Sequence, residues 1–578
     1  MFLSALASGA FLGQMANWLP VWLTPIWVLS VGLVLGAVSL VVVLGVFALL
    51  SFTPLGKIAD SARSGVIASL VLGVAFSAAL LTIFLPRGGE YQGMLVLPIL
   101  SFGIVAGFAV IYGMWSRTRA ELKAIATEGI VPYVLSTAGL FALVGLAATP
   151  LVKEPNEIIG SIWQVNLFSD GTEKVVRNVK PSSVDINPDE APFQKVEMSY
   201  VMFNVAELSI TSDKTILIAD AETPSKFNMT PVRIDAGETV RYLRENREAP
   251  PLPLDPSSVF MQNREIDEAT VTMTFVTRPT VPEASSIVTT AIVFFWLIMG
   301  YIALRQAAPR VSAVALSTAK SEMAQPLYLL LLLIGLFGML LFAIMPFNTL
   351  GEDIRLMKDS GVTLIMVLGM LQAVWSAGTS VSDEIEGRTA LTVLSKPLSR
   401  RSFLIGKYIG IMFSVLVLFI IIGAVLLVAT SYKPIYDARE TTRVTPEWQV
   451  GHEEVISTLP ALALYFMETM AIGGIAVALA TRLPLLANFV VCFVIYVIGN
   501  LTAPLVRSTN GENELVGFVG KLIAVVIPNL NAFNVQSAVD AGNQIPPIYL
   551  AGAFTYLFCF AVMILMVAML MFEDRDLA

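Results

Sequence analysis

Long apolar runs alternate with short polar segments along most of the chain. A transmembrane α-helix needs ~20 predominantly apolar residues, and eleven runs of 19 to 28 residues meet that length: 25–52, 66–85, 94–115, 130–148, 286–304, 326–345, 361–381, 408–430, 456–480, 485–506 and 548–571. The pattern therefore predicts a polytopic α-helical membrane protein of about 11 transmembrane helices, four of them before residue 150. Residues 150–284 are the longest part of the chain without such a run.

Residues 150–284 have the pattern of a folded β-rich domain. In Thr270–Thr277 apolar residues alternate with threonines, as a half-buried strand requires, and 158–168, 196–210 and 214–219 also read as strands. The segment carries 13 basic and 21 acidic residues, a net −8 that equals the charge of the whole chain. We expect an inserted sandwich-like domain, and its acidity argues against a nucleic-acid partner.

The composition agrees with a membrane protein and argues against histidine-pair sites, metal sites and disulfide bonds. Charged residues make up 14% of the chain, against about 25% in soluble proteins. The single histidine excludes sites built from histidine pairs, and we expect no metal site. Both cysteines lie in apolar runs, so no disulfide framework is expected. The first charged residue is Lys57, so no cleavable signal peptide is expected.

A charged island, Ser382–Lys407, separates the runs 361–381 and 408–430, and it holds five basic and three acidic residues. Asp383 and Glu386 have the spacing of a capping box with Asp as the cap, and Pro397 would end the helix. A short capped helix at the membrane surface suits docking into a groove on a soluble partner. The residues alone leave an ordinary solvated loop equally open.

The island resembles the cytoplasmic segment of type-two ABC transporter permeases, the group that includes gliding-motility and nitrous-oxide-reductase-maturation permeases. In that family the segment touches the ATPase subunit. The resemblance covers about 308–577 and includes the loop 507–547 and the closing residues 572–577. It implies ATPase-coupling roles for Glu384, Glu386, Gly387, Arg388, Thr389, Leu391, Leu394, Pro397, Arg400 and Lys407.

The chain carries no phosphate-binding loop of its own, because Gly406-Lys407 and Gly520-Lys521 both lack the earlier glycine of that motif. We therefore expect no catalytic residues and no cofactor bound by this chain, with ATP held by a partner. The resemblance implies two copies of an ABC ATPase subunit. It also implies a second permease, either as a homodimer or as half of a heterodimer.

Basic residues in the short loops predict the orientation. With the N-terminus outside, the inside loops hold 15 Lys and Arg and the short outside loops hold 8. This places the island on the cytoplasmic side of a cytoplasmic (inner) membrane and residues 150–284 on its extracytoplasmic side. The turn 481–484, with Arg482, becomes a second inside contact. The predicted domains are 1–149 with four spans, 150–284, a fifth span and cytoplasmic connector at 285–325, and a six-span permease core at 326–578.

Glu468 is the candidate for the translocation path. It lies near the middle of the run 456–480, where an ionised carboxylate costs at least ~2.5 kcal/mol. The alternative is a hydrogen-bonded carboxyl packed against polar groups of a neighbouring helix, for instance Gln372.

The sequence leaves two rivals to a permease that exports an unknown substrate. The extra N-terminal spans and the inserted domain depart from a six-span minimum, so a non-transporting scaffold or a force-transmitting subunit stays open. An intramembrane enzyme has less support, because it would need a nucleophile–base pair or paired carboxylates and the runs offer the isolated Glu468.

Overall fold

The computed structural model describes residues 9–84, 92–128, 130–163, 171–181, 193–198, 200, 202–227, 229–244, 250–253, 255–345, 353–382, 384, 399–508, 527–534 and 545–573. The chain divides into two compact units. One comprises residues 1–153 together with 289–578, and the other comprises residues 154–288. In the described residues the first unit is helical, and every strand that the structure describes belongs to the second.

Fourteen α-helices lie in the described residues: α1 (Gly9–Leu50), α2 (Ala62–Phe84), α3 (Gln92–Gly113), α4 (Ser116–Thr127), α5 (Val131–Ala147), α6 (Pro155–Ile162), α7 (Ser285–Ala307), α8 (Pro309–Met323), α9 (Pro326–Ile344), α10 (Asp353–Ala377), α11 (Arg400–Glu440), α12 (Trp448–Ala480), α13 (Leu485–Ser508) and α14 (Pro547–Glu573).

Each of the eleven predicted apolar runs coincides with one of these helices, so the predicted fold class is confirmed. Within the described residues nine helices are long and apolar enough to cross a membrane. The pair α4 and α5, bent by 64°, passes the same test as one unit, and α13 contributes the shorter apolar stretch Leu485–Leu501. The first helix begins earlier than predicted, at Gly9, and passes through Pro20 and Pro25.

Three helices form the centre of the membrane unit. In α10 and α12 about two thirds of the most apolar window is buried, and in α11 just over half, whereas for α1 the share is 11%. Small residues permit close packing there: a Cβ at Gly369 would lie 2.5 Å from the Phe419 ring, and one at Gly473 would lie 2.4 Å from Met412. The helices on either side of the charged island, α10 and α11, therefore belong to the core of the unit.

The second unit is a β-sandwich of two four-stranded antiparallel sheets with the orders β1-β8-β3-β6 and β2-β7-β4-β5. Its strands are β1 (Gly171–Val179), β2 (Gln194–Lys195), β3 (Val205–Ser212), β4 (Ile216–Ala219), β5 (Val232–Ile234), β6 (Thr239–Leu243), β7 (Phe260–Asn263) and β8 (Ala269–Thr277). As predicted, the apolar residues of β8 (Val271, Met273 and Phe275) are buried in the core between the sheets.

The strand predicted at 158–168 is wrong over its described part. Residues 155–162 form the helix α6, with Pro155 at its first position, where its fixed φ suits a helix. Ile158 and Ser161 are buried on one side, a spacing of three that follows the helical repeat. Within the described residues of the predicted strand 196–210, the strand covers only the part from Val205 onward.

Candidate coupling site

The connector helix α8 packs directly against the first turns of α11. A Cβ at Gly406 would lie 2.6 Å from Val314 Cβ, and one at Gly410 would lie 2.5 Å from the Ala315 carbonyl oxygen. Glycines four residues apart share one face of a helix, and their missing side chains let the two backbones approach. The connector therefore lies beside the point where the charged island enters α11.

The start of α11 is well defined. Ser399 caps the helix by accepting a hydrogen bond from the Ser402 amide at 3.1 Å, the usual role of serine at this position. Arg400 donates to the carbonyl oxygens of Phe572 and Glu573, at 3.3 and 3.0 Å. Those carbonyls belong to the last turn of α14, where orphan acceptors favour a cation. Arg400, a predicted coupling residue, thus ties the island's end to the last helix.

The two ends of the island are joined by an ion pair. Lys407 Nζ lies 2.5 Å from Glu384 Oε1, although 23 positions separate the residues in the chain. The lysine side chain is 7% exposed and the glutamate 32%, so solvent screens this pair only partly. The resemblance gave each residue a place in one motif, and the structure brings the two into contact.

A buried carboxylate of the connector lies close to this pair. Glu322 is 1% exposed, accepts from Gln325 Nε2 at 3.1 Å, and lies 3.4 Å from Thr379 Oγ1 of α10. Burial raises the pKa of Glu322 to about 7, and the charge of Lys407 opposes that rise. Trp375 donates to Gln325 at 2.9 Å. The connector, α10 and α11 therefore share one polar cluster.

The other end of the island meets the predicted second inside contact. After α10 the chain makes a single π-helical turn, Gly378–Ser382, a feature often found at functional sites. Ser382 Oγ donates to the Leu483 carbonyl oxygen at 3.0 Å. The turn 481–484 therefore lies directly beside the beginning of the island.

Loops predicted to lie inside also contact one another in the N-terminal half. Arg119 Nη1 donates to Ser51 Oγ at 2.9 Å, and Arg305 Nη2 lies 3.4 Å from Glu128 Oε2. Each contact joins two segments that basic-residue counting placed on the inside. These segments therefore lie at the same end of the membrane unit.

Loops predicted to lie outside meet at the other end of the same helices. Lys358 Nζ lies 2.7 Å from Glu454 Oε2. Lys433, which is fully buried in α11, lies 3.0 Å from Asp437 and 3.7 Å from Asp353. This acidic group extends to Glu440, and its carboxylates come within 4.8 Å of one another. The Lys433 ammonium already provides the positive charge among them, which disfavours a metal ion there.

Glu468 has a partner other than the one considered from sequence. It is 1% exposed and accepts a hydrogen bond from Asn500 Nδ2 of α13 at 3.4 Å. Gln372 instead donates to Ser376 at 2.8 Å. The geometry agrees with a carboxyl held by a polar group of a neighbouring helix, and a role in the translocation path stays a prediction.

Most of the predicted coupling helix lies outside the described residues. This applies to Glu386, Gly387, Arg388, Thr389, Leu391, Leu394 and Pro397, whose roles stay predictions. The structure describes Glu384, Arg400 and Lys407, and all three lie at the ends of α10, α11 and α14 that charge counting predicts to be on the inner side.

Sequence reasoning missed Glu322. The available signal was the helical spacing of the connector, in which Ser312, Ala315, Ala319 and Glu322 are three or four residues apart and are all buried. A carboxylate at the end of such a stripe must enter a packed interface. The hydroxyl group that donates to this carboxylate, that of Thr379, could not be identified without the tertiary structure.

Comparison with protein families gives one match. Residues 352–577 match the model of the ABC-2 family transporter proteins. Comparisons with curated proteins and with solved structures give no match. The matched range contains the island, the helices α10 to α14 and every predicted coupling residue. Residues 352–577 are therefore similar to the ABC-2 family transporter proteins, and the nine long apolar helices of the described residues indicate a multi-pass membrane protein.

Proposed function

We propose that this chain couples ATP hydrolysis by a separate ABC ATPase subunit to transport, with export as the direction, through the charged island at 382–407. The observation that carries the proposal is the ion pair between Glu384 and Lys407, which joins the two ends of the island next to the connector. A segment closed in this way moves as a unit with the helices that hold it.

The attachments of the island define a route for the movement. α10 ends beside the turn 481–484 through Ser382, and α11 begins at a capped turn bound to the end of α14 through Arg400. Both α10 and α11 continue across the membrane as central helices. Closure of the ATPase subunits would displace the island, and the attached spans would tilt with it.

The complex in this proposal contains two ATPase subunits and two permeases, as a homodimer or with a related chain. It lies in the cytoplasmic membrane, with the sandwich unit on the outer side. ATP binds to the ATPase subunits and no cofactor binds to this chain. The odd number of spans between the sandwich and the island supports this placement.

The sandwich unit favours one alternative, a subunit that transmits force to an extracytoplasmic complex instead of moving a substrate. Sixteen of its side chains form a buried cluster between the sheets, so the unit has a hydrophobic core of its own. A unit with its own core can serve as a binding domain for a partner. Both functions require an ATPase at the island. They differ in whether purified complex in vesicles moves any molecule across the membrane.

The first experiment is co-purification of an ABC ATPase with the tagged full-length chain. Glu384→Ala combined with Leu391→Asp should lower the recovered ATPase at least tenfold, because it removes the ion pair and places a charge on the predicted docking face. A matched control combines Glu447→Ala with Val444→Asp in the outer loop, where both side chains are exposed, and should retain the ATPase. Recovery of the ATPase with the island variant would contradict the proposal.

A further inference from the structure

A surface cavity of about 280 Å³ lies outside the matched range 352–577. It forms where the end of α4, the start of α5 and the end of the connector α8 come together. Its lining consists of Thr127, Pro132, Tyr133, Lys320, Met323 and Ala324. Charge counting places α4 and the connector α8 on the inner side, and the start of α5 is the inner end of the predicted span 130–148.

The lining combines one cation, two hydroxyl groups and an apolar wall. Lys320 is exposed, and within the described part of the chain its ammonium has neither a hydrogen bond nor an ion pair. Thr127 and Tyr133 supply the hydroxyls, and none of the six lining side chains is acidic. This set suits a ligand with an anionic group beside an apolar part.

The depth of the cavity matches the surface of a membrane. The apolar helix α5 begins at Val131 and the span α9 begins at Pro326, each within a few residues of the lining. Lipid phosphates lie at this level, where a bilayer changes from hydrocarbon to head groups. The volume is below the ~300–1,000 Å³ of a pocket for a drug-sized molecule, so it suits a head group whose acyl chains stay in the bilayer.

The surrounding charge has the sign that attracts anionic lipid. The first three segments that charge counting places on the inner side, 51–65, 115–130 and 304–325, hold eight basic and four acidic residues. Basic pockets between membrane helices on the cytoplasmic side bind anionic head groups, and that leaflet carries the negative surface potential.

We propose that this cavity binds the phosphate of an anionic phospholipid, with Lys320 as the charged contact and the hydroxyls of Thr127 and Tyr133 as neutral ones. Met323 and Pro132 contact the glycerol end. The lipid would hold the bent pair α4–α5 against the connector that also packs on α11. The proposal stands whether or not the protein moves a substrate.

Native mass spectrometry of the purified full-length chain tests this with dioleoylphosphatidylglycerol and dioleoylphosphatidylcholine in equal amounts. Wild-type protein should retain the phosphatidylglycerol preferentially. Lys320→Ala should weaken that binding about fivefold, the contribution of one lysine at a charged surface. Lys320→Arg keeps the charge and should keep the binding, which separates loss of the site from loss of the fold.

Lys123→Ala is the matched control, because Lys123 is an exposed lysine of α4 that does not line the cavity. It should leave the preference intact. Equal retention of both lipids, an equal loss in the Lys123 variant, or unchanged binding in Lys320→Ala would each overturn the proposal. Displacement of the lipid by millimolar inorganic phosphate would assign the cavity to free phosphate instead and would also overturn it.

Discussion

Helix α11 carries a buried lysine near each of its ends, and the two have different surroundings. Lys407 lies at the end predicted to be inner and Lys433 at the end predicted to be outer, ~39 Å apart at 1.5 Å per residue. Both are almost completely buried, and both lie next to carboxylates. Equal chemistry on one helix therefore allows the two ends of the membrane unit to be compared.

The partners differ in what they hold together. Lys433 pairs with Asp437 one turn along its own helix and with Asp353 at the first residue of α10, so it joins two rigid helices. Lys407 pairs with Glu384, next to the predicted coupling helix, and its charge also acts on Glu322 of the connector. We infer that the outer lysine serves mainly stability and the inner one serves the position of the island.

The largest effect should follow from Lys433→Met. The substitution leaves the buried Asp353 and the partly buried Asp437 without their cation, and loss of one partner of a buried ion pair costs about 3–5 kcal/mol in other proteins. The midpoint temperature of unfolding of the purified protein should therefore fall. Arg443→Ala, at an exposed position just beyond α11, is the control and should move it little. A Lys433→Met protein as stable as wild type would show that the outer pairs contribute nothing net.

Glu322→Gln should change the pH dependence of stability. Burial raises the pKa of Glu322 to about 7, so the folded protein holds the proton more tightly than the unfolded chain does. The resulting stabilisation is complete below about pH 4.5 and is lost as pH rises through 7, by up to about 3 kcal/mol. Wild-type protein should lose stability between pH 5 and pH 8 relative to Glu322→Gln. Parallel pH profiles of the two proteins would exclude this contribution.

Reversal of either charge of the inner pair should affect coupling more than stability. Glu384→Lys or Lys407→Glu alone should lower permease-dependent ATPase activity about tenfold, which corresponds to about 1.4 kcal/mol. The double exchange should restore only part of it, because the new carboxylate at position 407 lies beside Glu322. Addition of Glu322→Gln to the exchange should restore more. ATP hydrolysis by the reconstituted complex is the measurement, and full activity of both single variants would contradict the assignment.

Glu468→Gln, midway between the two ends, should have the smallest effect. Glutamine has nearly the same shape and can keep a hydrogen bond to Asn500, so stability and transport-linked ATPase activity should change less than twofold. A strong loss of transport-linked activity in a normally folded Glu468→Gln protein would instead support a place for Glu468 in the translocation path.

The length of the apolar runs predicted the membrane helices well. A segment in lipid must form all of its backbone hydrogen bonds internally, which a helix does. Each of the eleven runs is helical, and the alternation in Thr270–Thr277 correctly marked a strand of the sandwich. The wrong secondary-structure predictions lie where the apolar runs are short and are interrupted by polar residues. In Pro155–Ile162 a helical repeat of about two turns was too short to be distinguished from a strand.

By itself, the sequence determined that this is a polytopic membrane protein with an inserted β-rich unit, and the motif in 382–407 indicated its similarity to the ABC-2 transporter family. Those features depend on neighbouring residues, so local pattern is sufficient. Only the tertiary structure decided the pairs, such as Lys407 with Glu384, Glu322 with Thr379, and Glu468 with Asn500 in place of Gln372. A buried polar group takes whichever partner helix packing brings within hydrogen-bond distance, and spacing along the chain does not specify that packing.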